Sequence, residues 1–256
     1  PGFGGDALPE SLSQNSVMKF SENVSVIIPD FDLLLYDKLD STNEEAKRLL
    51  ADGRITRPSL LRAESQTAGK GTQGRRWFSP PGAGLYCSVV HPFPGETLTG
   101  HTQREIPLSP LFTLAAGVAC AETIRELTGL GIQLKPINDL YVDGRKLGGI
   151  LTESLISENH CKALITGIGI NVFEHTAITD GCELEDRGNV PASLQGNIPS
   201  HLFSQWHGDA IMQELALALA RQVEHYYRIL IEWGREPIIE KYVQYKTPEF
   251  DFPNEY

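Results

Sequence analysis

Between Glu64 and Glu96 the chain carries no acid, and the run Gln66-Thr67-Ala68-Gly69-Lys70-Gly71-Thr72-Gln73-Gly74-Arg75-Arg76-Trp77 concentrates glycines and cations there. Glycines let backbone N–H groups come close to phosphate oxygens, and Lys70, Arg75 and Arg76 supply charge suited to the pentavalent α-phosphate of an adenylyl transfer. The bland alternative for the same residues is a surface turn with solvated charges. Gly69 and Gly74 have P-loop spacing, but Arg75 and Arg76 stand where that motif needs Lys and Ser/Thr, which argues against a Walker-type site.

Three further segments carry candidate chemistry. In Asp40-Ser41-Thr42-Asn43-Glu44, Ser41 and Glu44 have the spacing of a capping box. A helix start presenting Ser, Thr and Asn beside free backbone N–H groups also suits a ligand's amide or ureido head. Asn138-Asp139-Leu140 precedes a hairpin whose Asp143-Gly144 turn delivers Lys146 before Leu147-Gly148-Gly149-Ile150. Glycines in an apolar strand cost stability and mark close approach of a ligand or another backbone, so Lys146 is expected to point at a reacting carboxylate and phosphate. Gly167-Ile168-Gly169-Ile170-Asn171 repeats the theme, its glycines facing one side of a strand, which offers either a flat slot for a planar ring or tight helix packing.

The elements that must position these residues follow from periodicity and punctuation. Strands are expected at Leu33 to Lys38, Leu60 to Glu64 and Leu85 to His91, with a helix at Thr42 to Ala51 closed by Gly53 and a Gly-rich loop from Ala68 to Gly84. Ser109-Pro110 reads as N-cap and first residue of a long helix running to Leu127, and Gly129 and Gly131 end it. β-type runs follow at Gln133 to Lys135, Leu140 to Val142, Lys146 to Ile156 and Ala163 to Val172, with tight turns at Asp143-Gly144 and Glu158-Asn159. After a polar stretch from Glu174 to Pro199, Ile211, Leu215, Leu219 and Val223 step by four along a helix from Asp209 to Trp233. Successive hairpins imply an α+β fold with a mixed, largely antiparallel sheet flanked by helices. Residues 1–25 read as a flexible leader, 30–235 as one domain, and 236–256 as a tail.

Composition narrows the function classes. A net charge of −11 on 256 residues argues against a general nucleic-acid binder, whose affinity rests on clustered Lys and Arg. The longest apolar stretch, Leu111 to Ala121, contains Thr113 and Gly117 and is too short to span a membrane. Cys87, Cys120, Cys161 and Cys182 form no CxxC pair and read as reduced thiols of a cytoplasmic protein.

Taken in order, Ser41-Thr42-Asn43, the basic Gly-rich loop ending in Arg76-Trp77 and followed by Ser79-Pro80, Asn138-Asp139-Leu140, Lys146 to Ile150 and Gly167 to Asn171 resemble the catalytic domain of biotin protein ligases from about Tyr36 to Phe173. The resemblance implies the fold shared with class II aminoacyl-tRNA synthetases. It also implies a two-step reaction in which ATP and Mg²⁺, bound mainly through the ATP phosphates, activate biotin as biotinyl-5'-AMP, and a lysine of a biotin carboxyl carrier protein then takes the acyl group. Carried onto this chain, it assigns Ser41, Thr42, Asn43, Gln66 and Gly149 to the biotin side, with Lys70, Gly71 and Thr72 covering it. Lys146 meets the carboxylate and α-phosphate, while Arg75, Trp77, Asn138, Asp139 and Asn171 serve the nucleotide, and Lys146, Arg75 and Asp139 form the catalytic group.

Two departures stand out. The family's Gly-Arg-Gly-Arg is here Gly69-Lys70-Gly71-Thr72, so one planar fork becomes a point charge and the other is lost, from which weaker retention of the adenylate is expected. The family's Lys-Trp-Pro-Asn is here Lys135-Pro136-Ile137-Asn138. The family's SH3-like C-terminal domain and DNA-binding domain are not apparent, residues 236–256 reading as a tail or as the remnant of a truncated SH3-like domain, and monomer and homodimer both remain open. A lipoate or octanoate ligase of the same fold and a non-catalytic biotin-binding homologue are the competing readings.

Overall fold

The structure, a computed structural model, describes residues 24–27, 31–93, 108–157, 160–174, 191–198 and 208–247. Its frame is an eight-stranded sheet in the order β1-β2-β3-β4-β8-β7-β6-β5. In chain order the strands are β1 (Val24–Ile27), β2 (Asp32–Leu39), β3 (Ser59–Gln66), β4 (Gly84–Pro92), β5 (Gln133–Lys135), β6 (Asp139–Val142), β7 (Arg145–Ser157) and β8 (His160–Asn171). Among the described strands β2 and β3 pair in parallel, joined by helix α1 (Thr42–Ala51), and the other strand pairs are antiparallel. The expected fold class is the observed one.

The sheet is covered on both faces, as its alternation requires. Leu60, Cys87, Val89, Leu164, Ile168 and Ile170 point into the larger core under α2 (Leu108–Thr128) and α4 (Gly208–Trp233), while Leu61, Val90 and Ile165 join Ala46 and Leu49 of α1 in a smaller one. Odd-numbered β8 positions therefore share the α1 face, which places Gly167, Gly169 and Asn171 there together. Helix α4 buries Leu215, Leu219 and Val223 as its four-residue step predicts. Among the described residues no helix is long and apolar enough to cross a membrane.

Several expectations need correction. Val24 and Ser25, read as the end of a leader, belong to strand β1 on the sheet's edge. Helix α2 already includes Leu108 and Ser109, so Ser109 is not its cap; Pro110 lies in the first turn, where its missing N–H leaves no helical bond unmade. Where the sequence suggests a tail from 236, the helix α5 (Glu236–Tyr245) buries Ile238 and Tyr242 in the main core. The Asp143-Gly144 turn forms with both residues at positive φ, 49° and 71°, as a two-residue hairpin turn demands. The other turn, Glu158-Asn159, lies outside the described residues, although β7 and β8 pair as far as Ser157 and His160. Leader residues 1–23, Cys182, most of the polar stretch 174–199 and the last nine residues also lie outside them.

Glu122 of α2 fastens α5 to the bundle. Its carboxylate accepts from Tyr226 Oη at 2.6 Å and Gln222 Nε2 at 3.1 Å on α4, and from Lys241 Nζ at 3.0 Å on α5. Burial opposes its ionisation, but the Tyr226 and Lys241 bonds outweigh that and hold the carboxyl below its usual range. A carboxyl depressed in the folded state stabilises above its unfolded pKa, and that contribution is lost as pH falls through the folded value. Replacing Glu122 with Gln is expected to cost about 1–2 kcal/mol at pH 7 by urea unfolding, with the gap from the parent closing as the pH falls through the depressed folded-state value, below the ordinary glutamate range.

Candidate functional site

A cavity of about 170 Å³ opens on the α1 face and gathers all fourteen residues singled out above. Its floor is set by register. Tyr86 of β4, Gly169 of β8, Gly149 of β7 and Asp139 of β6 form one row across four strands, and Ser88, Gly167 and Leu151 form the next.

The second row makes the polar end. A Cβ on Gly167 would lie 2.5 Å from Asn43 Oδ1, so this glycine lets Asn43 descend to the sheet. There Asn43 Nδ2 donates to Glu153 Oε2 at 2.8 Å and Leu151 O at 3.3 Å. Ser88 Oγ, fully buried, donates to Asn43 Oδ1 at 2.6 Å and lies 2.7 Å from Thr42 Oγ1. Gln66 completes the wall. Its Oε1 accepts the Thr42 N–H at 2.8 Å, and its Nε2 donates to Ser79 Oγ at 2.8 Å.

This corrects the capping box. Ser41 is the N-cap residue, but its hydroxyl makes no capping bond; Gln66 from β3 satisfies the helix instead, and Glu44 turns to Lys47 and Lys70. The Ser41 hydroxyl is thus left to line the cavity, while Thr42 and Asn43 are buried in a network already complete. Such an end offers donors and acceptors fixed before any ligand arrives.

The first row makes the flat end, and Trp77 occupies it. A Cβ on Gly169 would collide with Trp77 Nε1 and lie 2.5 Å from Cε2, and one on Gly149 would come within 3.2 Å of Cζ3, so the indole lies across both glycines. Of the two uses read from Gly167 and Gly169, the ring slot describes Gly169 and close helix packing describes Gly167. Trp77 Nε1 is buried without a protein acceptor. Lys146 Nζ stands 5.5 Å from the indole centroid and 2.9 Å from Asp139 Oδ1, the cavity's one carboxylate. Asn138 shapes this corner through its carbonyl, which accepts from Ile150 N at 2.8 Å.

Opposite stands a segment that the sequence leaves as polar loop. Residues 191–198 carry the short helix α3 (Leu194–Asn197) and clasp the ends of β7 and β8. Ala192 N donates to Lys146 O at 2.9 Å, Asn171 Nδ2 donates to Ala192 O at 3.2 Å, and Arg145 Nη2 donates to Asn197 Oδ1 at 3.0 Å. Pro191 and Tyr141 join the lining here, as Phe78 and Arg76 do near the loop.

The basic loop closes the cavity with charges that are largely restrained. Lys70 Nζ lies 2.7 Å from Glu44 Oε1, Arg75 Nη2 donates to Thr72 Oγ1 at 3.0 Å, and Arg76 Nη2 donates to Thr67 O at 2.8 Å. Gly71 N donates to Arg75 O, and Gln73 turns the loop at φ 58°. No cluster of three or more His, Cys, Asp or Glu suited to a metal occurs among the described residues.

Comparison with known proteins agrees with this geometry. Residues 36–171, more than half of the chain, match the biotin/lipoate A/B protein ligase family. The chain is 36% identical over 142 residues to the bifunctional ligase/repressor BirA of Bacillus subtilis, covering 55% of this chain and 40% of that one. It is 32% identical over 159 residues to the biotin–[acetyl-CoA-carboxylase] ligase of Paracoccus denitrificans, covering 62% and 61%. The chain thus spans about two fifths of the length of the BirA relatives it matches. Among solved structures, biotin protein ligase from Aquifex aeolicus in complex with biotin and ATP superposes with a TM-score of 0.62 at 24% identity, over 84% of this chain and 78% of that one. That from Leishmania major in complex with biotinyl-5-AMP gives 0.59 at 22%, over 89% and 85%. These two likenesses concern the fold.

Because the Trp77 indole needs two missing side chains, Gly169→Ala is expected to expel it from the sheet while the fold survives with a loss of about 1–3 kcal/mol. A red-shifted, more quenchable Trp77 emission, read in a background lacking Trp206 and Trp233, would show the displacement; an unchanged spectrum would refute the packing.

Proposed function

Since the chain belongs to the biotin/lipoate A/B protein ligase family, we propose that it activates biotin with ATP and passes the biotinyl group to a lysine of a biotin carboxyl carrier protein. The observation that carries this reading is the division of one cavity into a closed polar end built by Thr42, Asn43 and Gln66 and a cationic end built by Lys146 and the loop. A ureido head needs donors and acceptors together, which the polar end supplies, with the Ser41 hydroxyl still uncommitted. Lys70, Gly71 and Thr72 lie over that head, and Gly149 lets the Trp77 indole settle on the sheet beside the ligand.

In the first step a biotin carboxylate oxygen attacks the α-phosphorus, the bond from α-phosphorus to the β-bridging oxygen breaks, and pyrophosphate leaves with the electron pair. Lys146, held by Asp139 at the junction of the two ends, suits both the carboxylate and the developing negative charge on phosphorus. Arg75 adds charge from the loop. Trp77, Asn138 and Asn171 bound the space beside them and serve the nucleotide, with the Trp77 indole N–H free to meet a ligand acceptor. Mg²⁺ is a partner of the ATP phosphates, where it offsets their charge; with Asp139 engaged by Lys146, the lining offers it no cage of carboxylates. In the second step the acceptor's neutral amine attacks the acyl carbon, the bond to AMP breaks, and the amine proton is lost to solvent.

Cys87, Cys120 and Cys161, all free and buried, are compatible with a cytoplasmic setting. The family name also spans lipoate ligases; the polar end, where the buried Ser41 hydroxyl makes no capping bond, favours a ureido head over a dithiolane, which has no N–H or C=O to meet it.

Biotin-dependent exchange of labelled pyrophosphate into ATP tests the reading. Exchange is expected with biotin, absent with lipoate, and lowered by about 10²–10³-fold in Lys146→Ala. No exchange from folded protein supplied with Mg²⁺ would leave a binding protein, and exchange with lipoate alone would move the substrate. Thr72→Arg should retain the adenylate longer in a filter-binding chase, because it restores a planar cation to the loop; equal retention would count against that expectation.

A further inference from the structure

The basic loop is a small hairpin bonded mostly to itself. Lys70 and Arg76 bridge each other, Gly71 N donates to Arg75 O at 2.8 Å, and Trp77 N donates to Gly69 O at 2.9 Å. Such a hairpin can tilt about its base unless something outside it holds one of its arms. Among the described residues, one ion pair joins its first arm, on the rung next to the base, to the body, Lys70 Nζ to Glu44 Oε1 at 2.7 Å. Glu44 stands in the first turn of α1 and does not line the cavity, so Lys70 directs its ammonium at the helix instead of at the Lys146–Asp139 junction.

The pair does not end at Glu44. The same oxygen lies 2.7 Å from Lys47 Nζ, Lys47 Nζ lies 2.8 Å from Glu153 Oε1, and the other oxygen of Glu153 accepts from Asn43 Nδ2 at 2.8 Å. Asn43 continues through Ser88 to Thr42, and Thr42 to Gln66. From Gln66 the chain runs through Ser79 to the Trp77 carbonyl, back at the base of the loop. Alternating charges link the loop's first arm to the amide of the polar pocket, and hydrogen bonds return from there to the loop's other arm. The ammonium groups of Lys47 and Lys70 keep the Glu44 carboxyl ionised, below its usual range.

We propose that Lys70 is a latch rather than a phosphate ligand: through Glu44, Lys47 and Glu153 it ties closure of the loop to the placement of Asn43, so that filling the polar pocket and closing the loop become one event. Glu44, Lys47 and Glu153 are then positioning residues, acting through Asn43 and Lys70. The ligand half of this proposal rests on the biotin reading above; the latch half does not.

The test compares the parent with Glu44→Gln, Lys70→Met, the double variant and Lys70→Arg, each as full-length chain. Trypsin cleavage after Arg75 and Arg76, followed by mass spectrometry without any ligand, is expected to be about threefold faster in each single variant and no faster in the double, as two halves of one partly exposed ion pair require. Lys70→Arg, which keeps the charge, should cleave like the parent. Biotin binding without ATP, measured by calorimetry, should weaken by a similar factor in both single variants, while the exchange rate of Glu44→Gln, whose side chain does not line the cavity, stays within about twofold of the parent at saturating biotin and ATP. Unchanged cleavage, additive effects in the double, or a defect confined to KM for ATP would overturn the latch, the last by returning Lys70 to the phosphate. A parent that binds no biotin but shows the cleavage pattern would overturn the functional reading and leave the latch standing.

Discussion

Trp77 can lie on the sheet only because Gly149 and Gly169, paired across β7 and β8, present no Cβ beneath it, and Asn43 can reach Leu151 and Glu153 only because Gly167 presents none either. The rest of the cavity follows from these absences. A glycine inside a strand forfeits stability, about 0.5–1 kcal/mol each relative to Ala. The sheet offsets that loss by making β7 and β8 its longest paired strands and enclosing β8 between β7 and β4 over most of its length. Their other face, with Ile150, Ile168 and Ile170, is fully engaged with α2 and α4. One face is stripped so that the site can sit flat; the opposite face keeps the strands in place.

Electrostatics impose a second order on the same ground. In a chain of net charge −11, an unrestrained group of cations would drift toward any surface acid. Here specific carboxylates claim them: Glu44 takes Lys70 and Lys47, Asp139 takes Lys146, and Glu153 closes the set through Asn43. Asp139 also holds the Lys146 ammonium beside the indole, so this cation is oriented by the fold itself.

The sequence revealed what local chemistry controls. The Asp143-Gly144 turn needed two positive φ angles and the step from Ile211 to Val223 needed one helix face, each set by near neighbours and each found; Ser41 marked the helix start correctly, although the capping box read there does not form. The cavity itself was also legible, because its glycines and cations stand out against an acidic, apolar background. What stayed hidden is tertiary. Ser88 lies 45 residues from Asn43 and Glu153 lies 110 away, and neither is conspicuous in its own strand. Gln66 caps α1 from β3, a substitution no capping pattern in α1 itself encodes. The clasp at 191–198 and the helix Glu236–Tyr245 acquire meaning only from the surfaces they cover.

The two ends of the cavity differ in how much of their geometry exists without a ligand, and burial decides this. Thr42, Asn43 and Ser88 are almost wholly buried and bonded by folding itself, with Ser41 buried beside them, so a head group entering there finds its partners in place and little order remains to be imposed. Arg75 and Arg76 are exposed, their guanidinium groups engaged within the loop at Thr72 Oγ1 and Thr67 O, and they must exchange those bonds to meet a phosphate. A reaction that joins a carboxylate from the closed end to a phosphate at the open end therefore draws its orientation from the first and its charge from the second. Lys146, standing between Asp139 and the indole on the strand that floors both, is the one cation already where the two must meet.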